Sequence, residues 1–247
     1  MALLEPGSIV LSSWLKEKGY SFELQKKYRL SGWLQSIGSG AMVRLGDEPK
    51  PLAALQAIQQ QANMTIHPGG KSALSLMGMT HDLLFSNNTL VLFGEQNERL
   101  PKWMLDYEWL IKFDFHATNF LPGNVGLTDF SSGLTSVKIS SPVRAVMECL
   151  HLARTEDDLV SCYQLMEGLG AANPKTVQSL LEKCGSVKVL RLFLFMAKKA
   201  GHTWYNYLNL DYEQLNFGRG SRSVTRGKGG IFVPEFQLII PRKLIDA

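Results

Sequence analysis

The sequence predicts an α+β protein, in which a small N-terminal winged helix-turn-helix precedes a larger mixed α/β C-terminal domain. Three observations predict it. Residues 6–46 carry, in order, a helix pattern, a tight turn, a second helix pattern and a glycine-tipped hairpin. Segments with strand character recur between residues 89 and 139. Capped amphipathic helices then fill residues 141–201, and two short strands close the chain. The expected division is 1–92 and 93–247, with the boundary near Phe93.

Pro6 and Ser8 introduce a first helix to about Lys18, with Val10, Leu11, Trp14 and Leu15 on one side and Gly19 at its C-terminal end. Ser21 caps the second helix, Glu23 complements the positive end of its dipole, and the chain turns at Gly32 after Ser31. Helical spacing puts Leu24, Tyr28 and Ser31 on a packing face and Phe22, Gln25, Lys26 and Arg29 on an outward, polar-basic one. Trp33 to Ile37 and Ala41 to Leu45 read as strands joined by Gly38-Ser39-Gly40, where glycine permits the positive φ of a tight tip. After a proline-punctuated link over 47–51, Leu52, Leu55, Ile58 and Ala62 mark a covering helix with Pro51 at its first position.

His67-Pro68-Gly69-Gly70 reads as a turn before a short helix over 71–77, and Thr89 to Phe93 as a buried strand. Ile111, Phe113 and Phe115 alternate with Lys112 and Asp114, and Leu134 to Ile139 gives another strand. Ser141-Pro142 then opens a helix striped by Val143, Val146, Met147 and Leu150. Thr155 and Asp158 form a capping-box pattern before Leu159, Cys162, Tyr163, Met166 and Leu169; Asn173-Pro174 opens the next helix, and Ser186 caps a last one ended by Gly201. That last helix is apolar nearly all round, which predicts a central position. Ile231 to Val233 and Phe236 to Ile240 read as strands separated by Pro234.

With 45% apolar and 19% charged residues, 247 residues can bury a sizeable core. The longest apolar run, Val187 to Ala197, is broken by Lys188 and Arg191, well short of the roughly 20 residues that cross a bilayer, and the N-terminus lacks the pattern of a secretory leader. Cys149, Cys162 and Cys184 are odd in number, far apart and on apolar stripes, the pattern of buried thiols in a reduced, cytoplasmic protein. The net charge of +4 is unevenly spread. Six basic residues face two acidic ones between Ser8 and Arg44, and six face one between Arg219 and Lys243, so the rest of the chain is acidic. Two basic patches suit polyanionic or acidic partners, and solvated faces would look the same.

Catalytic signals are weak. His67, His81, His116, His151 and His202 form no paired metal-ligand spacing, Gly38-Ser39-Gly40 is no dinucleotide fingerprint, and Arg226 to Gly230 lacks the first glycine and the hydroxyl residue of a P-loop. Asp129 and Lys138 flank a strand in a loosely nuclease-like way, an arrangement that surface residues commonly share. No cofactor, metal or catalytic residue is expected. By contrast, the N-terminal pattern provides a helix for the major groove and a wing for phosphates. Lys26, Lys27 and Arg29 would contact phosphate or guanine, Gln25 could pair with adenine, and Lys16 and Arg44 would position the unit. A protein-interaction module and a nuclease or transferase tethered to DNA are alternatives, since helix-turn-helix units also bind proteins.

The stretch SSWLKEKGYSFELQKKYRLSGWLQSIGSGAMVR, with HPGGKSALSLMGMTH after it, resembles the N-terminal region of AbiEi antitoxins. Similar to that family too are ISSPVRAVMECL, the segment from YQLMEGLGAANPKTVQSLLEKCGSVKVLRLF to YNYLNLD, and the terminal GRGSR and FQLIIPRKL. The resemblance implies a non-enzymatic repressor that binds inverted repeats in the promoter of its own type IV toxin–antitoxin operon, one wing domain per half-site, and counters an AbiEii nucleotidyltransferase toxin. Such a chain is compatible with a monomer in solution and two copies on the operator. On this chain it makes Ser21 to Ser31 the recognition helix and Gln35 to Arg44 the wing. Lys183, Lys188, Arg191, Lys198, Arg219 and Arg222 match basic positions of the family's antitoxin domain, although Leu190 and Phe195 make this helix less basic than is usual there.

Overall fold

The computed structural model describes residues 5–80, 88–211, 215–224 and 230–247. His81 and the glycine-rich Arg226 to Gly229 lie outside them. The chain begins with β1 (Val10–Leu11), α1 (Ser12–Glu17), α2 (Phe22–Leu30), β2 (Leu34–Gly38), β3 (Ala41–Arg44) and α3 (Pro51–Gln61). Next come β4 (His67–Pro68), α4 (Gly70–Leu76), β5 (Thr89–Glu95), α5 (Lys102–Asp106), β6 (Lys112–Thr118), β7 (Leu127–Ser132) and β8 (Thr135–Ser140). Helices α6 (Pro142–Leu152), α7 (Glu156–Glu167), α8 (Pro174–Glu182) and α9 (Val187–Lys199) follow, then β9 (Arg222–Ser223), β10 (Ile231–Val233), β11 (Leu238–Ile240) and α10 (Arg242–Asp246). This is a mixed α/β architecture with a helix-turn-helix and hairpin at its N-terminal end.

Two compact units divide the described residues, and neither is continuous in sequence: one holds 5–68, 88–118 and 128–139, the other 69–80, 119–127 and the rest from 140 onward. The expected cut at 92/93 falls inside β5. In the first unit β1, β3 and β2 form an antiparallel sheet in that order, with Val10 opposite Met42 and Leu34 opposite Arg44. The first predicted helix is therefore shorter than its spacing suggested. Val10 and Leu11 satisfy their backbone in the sheet, and the helix starts only at Ser12. Val10, Leu15, Leu34 and Met42 make the small core, with Trp14, Tyr20 and Tyr28 packed against it.

Helix α3 ends in three glutamines, and each bonds to backbone that no strand serves. Gln61 accepts from Leu11 N at 2.7 Å and donates to Ile9 O at 2.8 Å, standing in for a strand beside β1. Gln59 donates to Ile66 O and Lys138 O and accepts from Lys138 N, while Gln60 donates to Ser136 O. The same unit carries a sheet of order β4-β5-β6, with β5 parallel to β6 from Thr89/Lys112 to Glu95/Thr118, and the hairpin β7-β8. His67 and Pro68, expected in a turn, are instead a two-residue strand against Phe93 and Leu92.

The second unit packs α4, α7 and α9 on α6. Helix α9 is buried on almost every side, as its composition predicts. Glu148 of α6 is fully buried: it pairs with Arg144 Nε at 2.8 Å and accepts from Gly70 N and Ser140 Oγ, both at 2.8 Å. Arg144 also donates to Pro122 O and Val125 O, so one buried ion pair fixes the start of α4 and the 119–127 segment. The capping box of Thr155 and Asp158, and the side-chain caps Asn173 and Ser186, form as predicted. Strand β11 pairs antiparallel with β10 and parallel with β9, a partner the sequence did not signal. The three cysteines are free and buried. No helix among the described residues is long and apolar enough to cross a membrane.

Candidate nucleic-acid interface

Helices α1 and α2 meet in a four-residue turn whose geometry follows from Gly19. Gly19 has a φ of +90°, its N–H reaches Lys16 O, and Tyr20 N reaches Leu15 O, the paired bonds of a Schellman C-cap. Helix α2 ends identically, with Gly32 N on Arg29 O and Trp33 N on Tyr28 O. At its start Ser21 Oγ accepts from Leu24 N at 3.2 Å. Hydrogen bonds from its own backbone and the Ser21 hydroxyl hold the Glu23 carboxyl below the usual range, which places a firm negative charge at the positive end of the helix.

Gln25 lies elsewhere than expected. It is 1% exposed, its amide donates to Ser12 O at 3.0 Å and Tyr20 O at 2.8 Å, and its Oε1 accepts from Ser12 Oγ at 2.5 Å. The proposed adenine contact is corrected accordingly: every polar atom of this side chain is engaged inside the unit, where it closes the turn between α1 and α2. The consequence is orientation. With Gln25 and Tyr28 inward, Lys26, Lys27 and Arg29 are exposed, as are Lys16 on α1 and Arg44 at the end of β3. Lys16 Nζ stands 5.0 Å from the centre of the Phe22 ring, and Lys18, which sequence reasoning did not single out, stands 5.6 Å from that of Trp14.

Between α2 and the hairpin lies a cleft of about 330 Å3, lined by Ser12, Arg29, Ser36, Ser39 and Met42 among others. Its hydroxyls were also missed, because serines beside glycines in a hairpin tip read simply as turn residues.

The basic candidates of the second unit are not all presented to solvent. Arg191 is corrected: it is 1% exposed, with Nε on Phe217 O at 2.8 Å and Nη1 on Gly220 O at 2.7 Å and Gln237 O at 3.0 Å. It pins two terminal segments from within and presents no charge to a partner. Lys188 is half-buried, donates to Ala153 O at 2.6 Å, and has its pKa lowered by burial and by the nearby Arg154 charge. Lys198 is exposed but paired with Glu235 at 2.7 Å. Lys183, 3.4 Å from Ser179 Oγ, and Arg219 and Arg222 are exposed.

Among the described residues no cluster of three or more His, Cys, Asp or Glu is placed to hold a metal. Asp129 and Lys138 form an ion pair at 2.7 Å between β7 and β8. Burial pushes the thiols up, Cys162 to about 12 and Cys184 to about 11, with Cys149 raised still further, so none is a ready nucleophile.

Comparison with solved structures places the fold beside the RV2827C protein from Mycobacterium tuberculosis, with a TM-score of 0.57 and 13% identity over 97% of this chain and 89% of that one. No curated protein matches the chain. Residues 1–85 match the family described as "Transcriptional regulator, AbiEi antitoxin N-terminal domain", and residues 87–241 that described as "Transcriptional regulator, AbiEi antitoxin, Type IV TA system". That description names a regulator and antitoxin, not a class of enzyme. Matched over residues 1–85 and 87–241, the chain belongs to the AbiEi family of antitoxin transcriptional regulators of type IV toxin–antitoxin systems.

Proposed function

We propose that the protein represses its own toxin–antitoxin operon in the cytoplasm by seating α2 in the major groove at each half-site of an inverted repeat, with the β2–β3 hairpin as the wing. The observation that carries this reading is the inward anchoring of Gln25, which turns Lys26, Lys27 and Arg29 outward together, with Lys16 and Arg44 exposed on α1 and β3. Five cations on one small unit supply backbone attraction, and the short α2 offers side chains to base edges. One copy per half-site means two copies on the operator, which is compatible with a chain that is a monomer in solution.

The second activity in this reading is neutralisation of an AbiEii-like nucleotidyltransferase toxin by residues of the C-terminal segment, without catalysis and without a cofactor. Lys183, Lys198, Arg219 and Arg222 are its exposed basic candidates, and Lys188 contributes only a partly covered one. Footprinting on the DNA upstream of the operon tests the first activity. The reading expects two protected half-sites of like sequence, and protection lost in a Lys26→Ala/Lys27→Ala variant that keeps its fold. Uniform protection with no preferred site, or none, would refute it.

A further inference from the structure

The cleft between α2 and the hairpin contains no acidic side chain, and one guanidinium dominates it. Arg29, on the last turn of α2, donates from Nη1 to the Met42 sulfur at 3.4 Å. A thioether is a weak acceptor, whereas a guanidinium carries five N–H donors in a planar fork, so most of that capacity is unspent on the protein. Across the gap, Ser36 and Ser39 are exposed on the hairpin; Ser36 Oγ donates its one proton to Gly38 O at 2.9 Å and accepts from Gly38 N at 3.4 Å, so it orders the hairpin tip and leaves the Ser39 hydroxyl as the donor for an anion.

A helix in the major groove and a wing at the neighbouring minor groove have a single sugar–phosphate strand between them. On this unit, with α2 and the hairpin so placed, that strand would cross the gap separating α2 from β2 and β3. We propose that the cleft seats one backbone phosphate of duplex DNA, gripped by the Arg29 guanidinium from the helix side and by the Ser39 hydroxyl from the wing side. The inference rests on the operator reading above and sharpens it: Arg29 fixes the register of helix and wing on the backbone, and base reading is left to other positions of α2. Charge-assisted, forked contacts of a guanidinium with phosphate oxygens give that grip its strength and direction.

The test compares the wild-type chain with Arg29→Ala, Ser39→Ala and Lys26→Ala on the upstream duplex and on a scrambled duplex of equal length, across a salt series. Arg29→Ala is expected to weaken both duplexes by the same factor, roughly tenfold or more, and to flatten the log–log salt slope by about 0.9. A neutral methylphosphonate, moved along the operator backbone, should find one position per half-site that costs the wild type a similar factor and costs Arg29→Ala nothing further. Ser39→Ala should show a smaller loss, again equal on both duplexes. Loss confined to the operator would make Arg29 a base reader and overturn the phosphate seat. So would an Arg29→Ala variant that binds as well as the wild type, and there the operator reading would survive on Lys26. If the wild-type chain binds neither duplex, both proposals fall.

Discussion

Gln25 and Arg191 do their work from the inside, and both have measurable costs. Truncating Gln25 to Ala leaves Ser12 O and Tyr20 O without their amide donor and the Ser12 hydroxyl without its acceptor. Stability should fall by about 1–3 kcal/mol, read from urea unfolding, whereas Lys26→Ala should stay within about 0.5 kcal/mol of the wild type. A neutral Gln25→Ala would deny the inward anchor. Arg191→Ala should cost about 3 kcal/mol or more, because the carbonyls of Phe217, Gly220 and Gln237 would lose a shared donor in a buried place. Helical spacing sends Gln25 to the surface, and the family resemblance makes Arg191 a basic contact; neither registers distant packing partners. Periodicity ranks polar residues as outward, and it cannot see partners that lie 13 or 26 residues away. The lysines were legible because a side chain of that length and charge has few ways to be buried.

Caps, turns and stripes, being local, came through the sequence best. The Thr155–Asp158 box is one, and it makes a pH prediction. Backbone N–H groups of Arg154 and Thr155 hold the Asp158 carboxyl below its ordinary pKa. A depressed carboxylate stabilises the fold above its unfolded pKa and loses that effect as pH falls through the folded one. Asp158→Asn should therefore be less stable than the wild type at neutral pH, and the gap should close as pH drops below the ordinary carboxylate range. A gap that is constant with pH would place the effect elsewhere. The buried thiols on α6, α7 and the segment after α8 predict that Cys149, Cys162 and Cys184 resist a disulfide reagent in the native chain and react together on unfolding. Elements defined by distant partners were illegible: β1 looks like the first turn of a helix until β3 lies beside it, and β9 is two residues long.

At the scale of the whole molecule, both compact units draw on both halves of the chain. The early segment 69–80 supplies α4, whose Gly70 N–H meets the buried Glu148 carboxylate, and β5 begins before the expected cut. A fragment starting at Phe93 would strip a donor from Glu148 and an apolar layer from α6. The proposed repression and the proposed toxin neutralisation are thus best separated by point changes in the full chain. Lys26→Ala/Lys27→Ala should abolish repression of a reporter driven by the operon's promoter while still restoring growth of cells that express the toxin; joint loss, in a protein of wild-type stability, would mean that the two activities share a surface. The most direct measurement is the salt dependence of operator affinity for the wild-type chain and for Lys26→Ala/Lys27→Ala. An outward cationic face on α2 predicts weaker binding and a shallower log–log slope, by about 0.9 for each phosphate that the variant no longer neutralises. Equal slopes and equal affinities would show that this face does not meet DNA.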